Sequence, residues 1–465
     1  MKLFKYLFLL VFVSLVITSC SDKEDADVFV PKLVSYYPAD GSVELLTTVE
    51  ISLAFDEPVK TSSNHKIVIN DIPAIVERSL KDSKVLLIKN ELEFETTYKI
   101  YIPKESVINN SGNHLEEDIS FTFTTKEGPK PVEIGKLVAS NPSPEAVKVF
   151  DFLKENYGEK TISATMSNVS WNMNEAEWVK LHTDKYPAMI TTDYIHLPAS
   201  PANWIDYSKI EYIEDWWENN GLFAAGWHWI VPRKEGETNS NDFTYKPNET
   251  TFKAKNVLIE GTWENDIAKA DLEKLANYLL LLKDKNIPVI WRPFHEAAGN
   301  IYEYNNGTAW FWWGAGGAET YKQLWKYMFE FFEEKGLNNL IWVWTTQTKD
   351  DAFYPGDEYV DIIGRDIYNM QSASSAFNQF GIIQEKYSSK LVALSEFGNM
   401  AKISAQWEQG AKWSYFMPWY DYDRTNNVNT SSFEEESHEH ANVDWWRDAM
   451  NSEFVITLDD MPSLK

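Results

Sequence analysis

The sequence predicts two domains, an all-β sandwich over 31–126 and a (β/α)8 barrel over 136–465, and three observations carry that prediction. Between 31 and 126, runs such as Val49-Glu50-Ile51-Ser52-Leu53-Ala54-Phe55 and Ser120-Phe121-Thr122-Phe123-Thr124 alternate apolar and polar residues with the period of half-buried strands. Beyond 136, apolar runs alternate with amphipathic helical stretches, the pattern of parallel strands joined by helices. Between the two, Glu127-Gly128-Pro129-Lys130-Pro131 breaks both periods, because neither proline can donate a backbone hydrogen bond; 127–135 is read as a linker. At 465 residues the chain is too long for one ordinary core.

The elements follow in chain order. Lys2 and Lys5 precede an apolar run from Tyr6 to Ile17 and then Thr18-Ser19-Cys20, which reads as a signal peptide over 1–19 and is too short to span a membrane. Cys20 is the only cysteine, so the chain forms no internal disulfide. Its setting resembles a bacterial lipobox, with Ile17 where leucine is usual, and an acyl chain on Cys20 would tie the protein to a membrane. Residues 20–30 form an acidic tether whose Lys23-Glu24-Asp25 resembles the short signal that sends lipoproteins to the cell surface. The expected location is the outer membrane facing outward, with the periplasm as the alternative. The sandwich that follows has turn signals at Asp40-Gly41 and Asn110-Ser111-Gly112 and resembles bacterial Ig-like modules, without the inter-sheet disulfide of antibody domains. Its candidates for exposed aromatics are few, Tyr36, Tyr37, Tyr98 and Tyr101 with no Trp, which suits a spacer better than a glycan binder.

In the second domain the strand-like runs are Thr161–Met166, Ala188–Tyr194, Leu222–Ile230, Pro288–Glu296, Leu340–Thr346, Ile362–Tyr368, Leu391–Phe397 and Tyr415–Tyr420. The clearest helix is Asp266–Lys283, with Leu272, Leu275, Ala276 and Leu279 on one face.

A formal net charge of -27 disfavours phosphate backbones and anionic lipid surfaces as partners, whereas a neutral polymer carries no such repulsion. Aromatics are 15% of the chain, 20 of them Trp, and a Trp face suits a pyranose ring as well as a core. In a barrel of this kind chemistry sits where strands end. The fourth run ends in Arg292-Pro293-Phe294-His295-Glu296 and the seventh in Ser395-Glu396-Phe397-Gly398, so each delivers a glutamate to the mouth. Either carboxylate alone would be explained by an ion pair with Arg292 or Arg365. Two across a cleft are what glycoside hydrolysis needs, one acid to protonate the leaving oxygen and one carboxylate to attack the anomeric carbon.

Together, Arg292–Glu296, Trp310-Phe311-Trp312-Trp313-Gly314, Asp366-Ile367-Tyr368, Ser395–Gly398 and Met417-Pro418-Trp419-Tyr420 resemble the ordered motifs of glycoside hydrolase family 26, from about Lys136 onward. The resemblance implies a retaining endo-β-1,4-mannanase acting on mannan, glucomannan or galactomannan, with Glu296 as acid/base and Glu396 as nucleophile. It implies that Arg292 and Tyr368 contact the nucleophile, that His295 places Glu296, and that His228 in Gly226-Trp227-His228-Trp229 binds the sugar being cleaved. Trp419 would be the platform under that sugar and Trp310 a tryptophan on the leaving-group side, while Trp312 and Trp313 read as packing. The chain departs from the family in one place, where Asn300–Thr308 intervene between the acid/base motif and the tryptophans.

His438-Glu439-His440 lacks a third matching metal ligand and reads as a solvated loop, as does Glu434-Glu435-Glu436. Asp350-Asp351 follows the fifth strand without an assigned role. No metal or organic cofactor is expected. Two further functional readings stand beside the mannanase: a mixed-linkage β-glucanase or β-1,3-xylanase of the same family, and a surface lipoprotein that holds glycan without cutting it.

Overall fold

A computed structural model describes residues 29–465 apart from 48, 91, 128–132 and 425. The signal peptide, Cys20 and nearly all of the acidic tether lie outside the described residues. The chain forms two compact units, 1–128 and 129–465.

In the first unit two sheets face each other. One orders Leu33–Tyr37, Ile51–Phe55, Val85–Ile88 and Val76–Arg78; the other orders Ser42–Leu45, Ile119–Thr125, Thr97–Ile102, Val68–Ile69 and Ile72–Pro73. Period-two alternation decides which side chains go in: Ile51, Leu53 and Phe55 meet Ile100, Ile102, Phe121 and Phe123 in one core. Among the described residues of this unit Tyr98 is buried while Tyr37 is exposed.

The second unit is a closed parallel barrel of eight strands. We label them β1 (Thr161–Asn168), β2 (Met189–Asp193), β3 (Leu222–Trp227), β4 (Val289–Pro293), β5 (Leu340–Thr346), β6 (Ile362–Tyr368), β7 (Leu391–Gly398) and β8 (Tyr415–Pro418). Each pairs with the next, and β8 and β2 both pair with β1, which closes the ring. A short parallel strand, Val455–Ile456, adds to β1 on the outside. Helices cover the ring. The longest, Trp263–Asp284, starts at Thr262, whose side chain accepts from Asn265 N, and it buries Leu272, Leu275, Ala276 and Leu279 against the barrel.

Six strands stop at a different residue from the sequence reading, by one or two residues at β1, β2, β7 and β8 and by three at β3 and β4, where the cause is local. β3 ends at Trp227 because Val231–Pro232 leaves the barrel to pair with Phe243–Thr244. β4 ends at Pro293 because Phe294 and Glu296 take left-handed conformations, and β8 ends at Pro418.

Candidate active site

The end of β4 is a sharp turn. Phe294 and Glu296 have φ of 51° and 50°, a region that costs a non-glycine residue about 1–3 kcal/mol unless the surroundings impose it. Here they do. Phe294 is buried against Trp229, Tyr321 and Trp325, the Tyr321 hydroxyl donates to its carbonyl at 3.2 Å, and Gly299 N donates to Glu296 O at 3.0 Å. The turn presents Glu296, half-buried, at the barrel mouth.

β7 is aimed by a different device. Gly364 of β6 pairs with Ala393 and Asp366 with Glu396, so β7 carries one residue more than β6 over that stretch, a bulge that redirects its side chains. A Cβ at Gly364 would lie 2.4 Å from Ser395 Oγ, so only glycine there admits the bulged strand. Ser395 Oγ then donates to Asp366 Oδ1 at 2.7 Å.

Arg292, buried at the end of β4, is the hub. Its Nη2 contacts the Asp366 carboxylate and donates to Glu396 Oε2 at 3.0 Å, while Nε donates to Thr345 Oγ1 at 3.1 Å. The Tyr368 hydroxyl donates to the other oxygen, Glu396 Oε1, at 2.7 Å. Both oxygens of Glu396 are therefore held by donors, and a carboxylate bound at both ends has a fixed direction of attack. Burial pushes the Tyr368 phenol above its ordinary range, and the neighbouring Glu396 adds to this, so it stays a donor. Burial pushes Asp366 up to about 6 against the opposing pull of Arg292. Burial also works against the charge of Arg292, but Asp366 and Glu396 outweigh it and hold the guanidinium above its usual value.

Glu296 sits in the opposite environment. Burial pushes its carboxyl well above the usual range, the negative charges of Asp366 and Glu396 push further, and Arg292 and Arg365 only partly oppose them. Two carboxyls at one mouth thus have separate tasks set by their surroundings, one kept protonated and one wrapped by donors. Arg365 is not an ion-pair partner of either; it donates to Thr346 O at 3.0 Å and Thr348 Oγ1 at 3.2 Å.

At the end of β3, Asp193 of β2 accepts from His228 N at 3.0 Å and meets His228 Nδ1 at 2.8 Å. A carboxylate only accepts, so Nδ1 carries the proton and Nε2 is the atom left for a ligand. The His295 ring packs edge-on to His228 with centroids 4.3 Å apart, and burial, with His228 and Arg292 nearby, keeps it well below the usual imidazole range and so neutral. Trp419 lies 5.7 Å from His228, centroid to centroid, and is held by Nε1 donating to the Tyr422 hydroxyl at 2.8 Å. Trp312 and Trp313 are buried, donating to Trp229 O and His295 O, whereas Trp310 is 41% exposed. The structure thus gathers Arg292, Glu296, Tyr368 and Glu396 at the barrel mouth and sets His228 between His295 and Trp419; Trp310 stands apart on the loop after β4.

Three residues of this site had no role in the sequence reading: Asp193, Asp366 and Ser395. Asp193 and Asp366 lie within or at the end of apolar strands, where a carboxylate needs a partner, and that was the available signal. The reading of His438 and His440 as solvated is corrected. His438 Nε2 meets Glu175 Oε2 at 3.0 Å, Arg424 Nε donates to Glu175 Oε1 at 3.0 Å, and the guanidinium lies 4.1 Å from the Trp178 ring centre, so the His438 side chain is buried in a braced loop, and His440 is buried as well. Asp350 is a brace as well, accepting from Thr346 Oγ1 and Gln347 N at 2.7 Å each. Among the described residues no group of three or more His, Cys, Asp or Glu is arranged to hold a metal ion.

Comparison with known proteins agrees with both domains. The model for glycosyl hydrolase family 26 matches residues 138–443, and that for a bacterial Ig-like domain matches 27–125. Mannan endo-1,4-beta-mannosidase A of Piromyces sp is 31% identical over 369 residues, 77% of this chain and 54% of that protein; the B enzyme of Piromyces sp is 33% identical over 325 residues, 67% and 51%. The chain thus spans about half the length of these curated relatives. Among solved structures, the family 26 domain of an endo-beta-mannanase/endo-beta-glucanase from Prevotella bryantii superposes with a TM-score of 0.64 at 38% identity, covering 70% of this chain and 99% of that one. A beta-mannanase from a symbiotic protist of the termite Reticulitermes speratus, complexed with gluco-manno-oligosaccharide, gives 0.60 at 32% identity, covering 71% and 99%.

Proposed function

The chain belongs to glycosyl hydrolase family 26, and from that premise we propose that it is a retaining endo-β-1,4-mannanase in which Glu296 is the acid/base and Glu396 the nucleophile. The observation that carries this reading is the contrast between the two carboxyls: Glu296 pushed up toward its protonated form, Glu396 held by Arg292 and Tyr368.

In the first step a Glu396 oxygen attacks the anomeric carbon while the Glu296 proton passes to the departing glycosidic oxygen. The carbon–oxygen bond to the leaving chain breaks and a glycosyl ester forms. In the second, Glu296, now a carboxylate, takes a proton from water; the hydroxide attacks the same carbon and releases Glu396. Two inversions give retention. His228, fixed by Asp193, and Trp419 would bind the sugar being cleaved; His295 would place Glu296, and Trp310 would meet the leaving chain. The substrate assignment is supported by the two Piromyces relatives, which are named for mannan, and by the gluco-manno-oligosaccharide bound in the protist enzyme.

The test is reducing-sugar release from β-mannan by residues 21–465, beside Glu396→Ala, with mixed-linkage β-glucan and β-1,3-xylan in parallel. Release from mannan that disappears in the variant supports reaction and substrate together. Equal rates on a glucan would overturn the substrate, and retention of mannan without cleavage of any polymer would overturn the enzyme. We also propose that Cys20 is acylated and holds the protein at the outer membrane, facing outward, for which the lipobox-like sequence is the support.

A further inference from the structure

Among the described residues of the barrel domain six aromatic side chains are exposed, Trp204, Tyr302, Tyr304, Trp310, Tyr368 and Tyr422. Every one lies at or beyond the C-terminal end of a strand: Trp204 after β2, Tyr368 ending β6, Tyr422 after β8, and Tyr302, Tyr304 and Trp310 on the connection after β4. Exposed aromatics scattered singly over a surface need no explanation. Confinement to the mouth does, and two of the six, Tyr302 and Tyr304, fall in the stretch 300–308.

That stretch is closed at its neck. Asn300 N donates to Thr308 O at 3.2 Å, and Thr308 N donates back to Asn300 Oδ1 at 2.9 Å. The neck has no room for side chains: a Cβ at Gly307 would lie 1.9 Å from Asn300 O, and one at Gly299, where φ is 56°, 2.3 Å from Thr308 O. Within the loop Glu303 N donates to Asn300 O and Gly307 N to Tyr304 O, which sets the turn and leaves Tyr304 at the tip. Tyr302 leans on Phe353 of the segment after β5, with centroids 6.2 Å apart, so the loop is braced on the neighbouring connection. Tyr304 makes no ring contact and is 64% exposed.

The loop's place relative to the chemistry follows from its origin. It begins four residues after Glu296, and Arg365 lies within electrostatic reach of both Glu296 and Glu303. An acid that protonates the leaving oxygen has the departing chain beside it, so the sugars on that side run along the segment following Glu296. The four residues from neck to tip reach at most about 14 Å, more than the length of one sugar ring.

We propose that the loop 300–308 is an arm for the leaving-group side of the substrate, in which Tyr304 offers a stacking face to a backbone sugar beyond the one at Trp310. The ligand is an uncharged β-linked glycan, since a phenol ring presents an apolar face and a polar edge to a sugar's own apolar face and hydroxyls. This rests on the reading of Glu296 as the acid that protonates the leaving oxygen.

The experiment compares two substrates with different leaving groups: polymeric β-mannan, whose leaving group is a sugar chain, and an aryl β-mannobioside, whose leaving group is a phenol too short to reach the arm. For Tyr304→Ala, the ratio of kcat/KM on the polymer to kcat/KM on the aryl glycoside falls about three- to tenfold relative to the wild type. For Tyr304→Phe the ratio stays at the wild-type value. An unchanged ratio in Tyr304→Ala, with the wild type active, overturns the arm alone. A wild type that cleaves neither substrate overturns the assigned reaction and the arm with it.

Discussion

Replacing Asp366 by Asn changes one charge and almost no volume, at the point where the architecture concentrates its electrostatics. Asp366 accepts from Arg292 Nη2 and Ser395 Oγ, and its side chain is fully buried. Removing one partner from a buried ion pair costs about 3–5 kcal/mol. Arg292 retains Glu396 at 3.0 Å, so the lower end applies, about 3 kcal/mol and a fall in Tm of roughly 6–10 °C. The kinetic effect is larger, because Arg292 then turns toward Glu396 alone and the nucleophile loses its set direction; a misplacement of this sort costs about 10²-fold in kcat. The pH profile gives the sharper readout. Burial, Asp366 and Glu396 all push the Glu296 carboxyl up, and Arg292 pulls it down. With Asp366 neutral, one upward push is gone and the opposing cation is less compensated, so both changes move Glu296 back toward the ordinary carboxyl range. The alkaline limb of kcat/KM, which reports loss of the Glu296 proton, therefore moves to lower pH. The assay is initial-rate release of reducing sugar from β-mannan across pH 4–9, with Ser395→Ala as a control that removes one hydrogen bond and no charge. An alkaline limb that stays in place, or a kcat/KM within about threefold of wild type, would refute the reasoning.

Glu175→Gln uncouples Arg424 and His438 from the helix after β1; thermal melting falls by several degrees, and KM rises more than kcat falls, because the loop it braces carries Tyr422. Asp271, which accepts from Trp229 Nε1 at 2.7 Å, is pushed by burial up to about 7. Its folded pKa lies above its unfolded value of about 3.9, so its contribution is fully present below pH 4 and is lost as pH rises through 7. Asp271→Asn removes that part of the decline, and the difference in melting temperature between variant and wild type grows from pH 5 to pH 8; a constant difference would contradict this. Cys20→Ala, expressed in a host that acylates lipoproteins, moves the protein from the membrane pellet to the soluble fraction, and a variant that stays in the pellet would remove the proposed anchor.

The barrel was legible because burial leaves a local trace. β5 and β6 occupy the residues their apolar runs mark, Leu340–Thr346 and Ile362–Tyr368, since a strand buried on both faces has no polar residue until it reaches the mouth. The ends were less legible. Nothing local announces that a Glu after Pro-Phe-His adopts φ of 50°; that follows from packing of Phe294 against Trp229, Tyr321 and Trp325, residues far apart in the chain. His438 failed for the same reason. Its segment is polar, which reads as solvated, but its partner Glu175 lies 263 residues earlier, and only the closed ring brings them together. Ser395 and Asp366 are joined by a bulge that period-two patterning does not register.

That bulge makes β7 the part of the chain least tolerant of a change in length. Deleting a single residue between Ala393 and Glu396 would restore even pairing with β6 and abolish the bulge, so Glu396 would stay opposite Asp366 but lose the local bend that aims it. Removal of nine residues from the loop after β4 shortens an arm; removal of one from this strand misaims the nucleophile while leaving its codon intact. In a library of random deletions, survivors would be sparse across Leu391–Gly398 and common across Asn300–Thr308, even though the two stretches flank the same cleft.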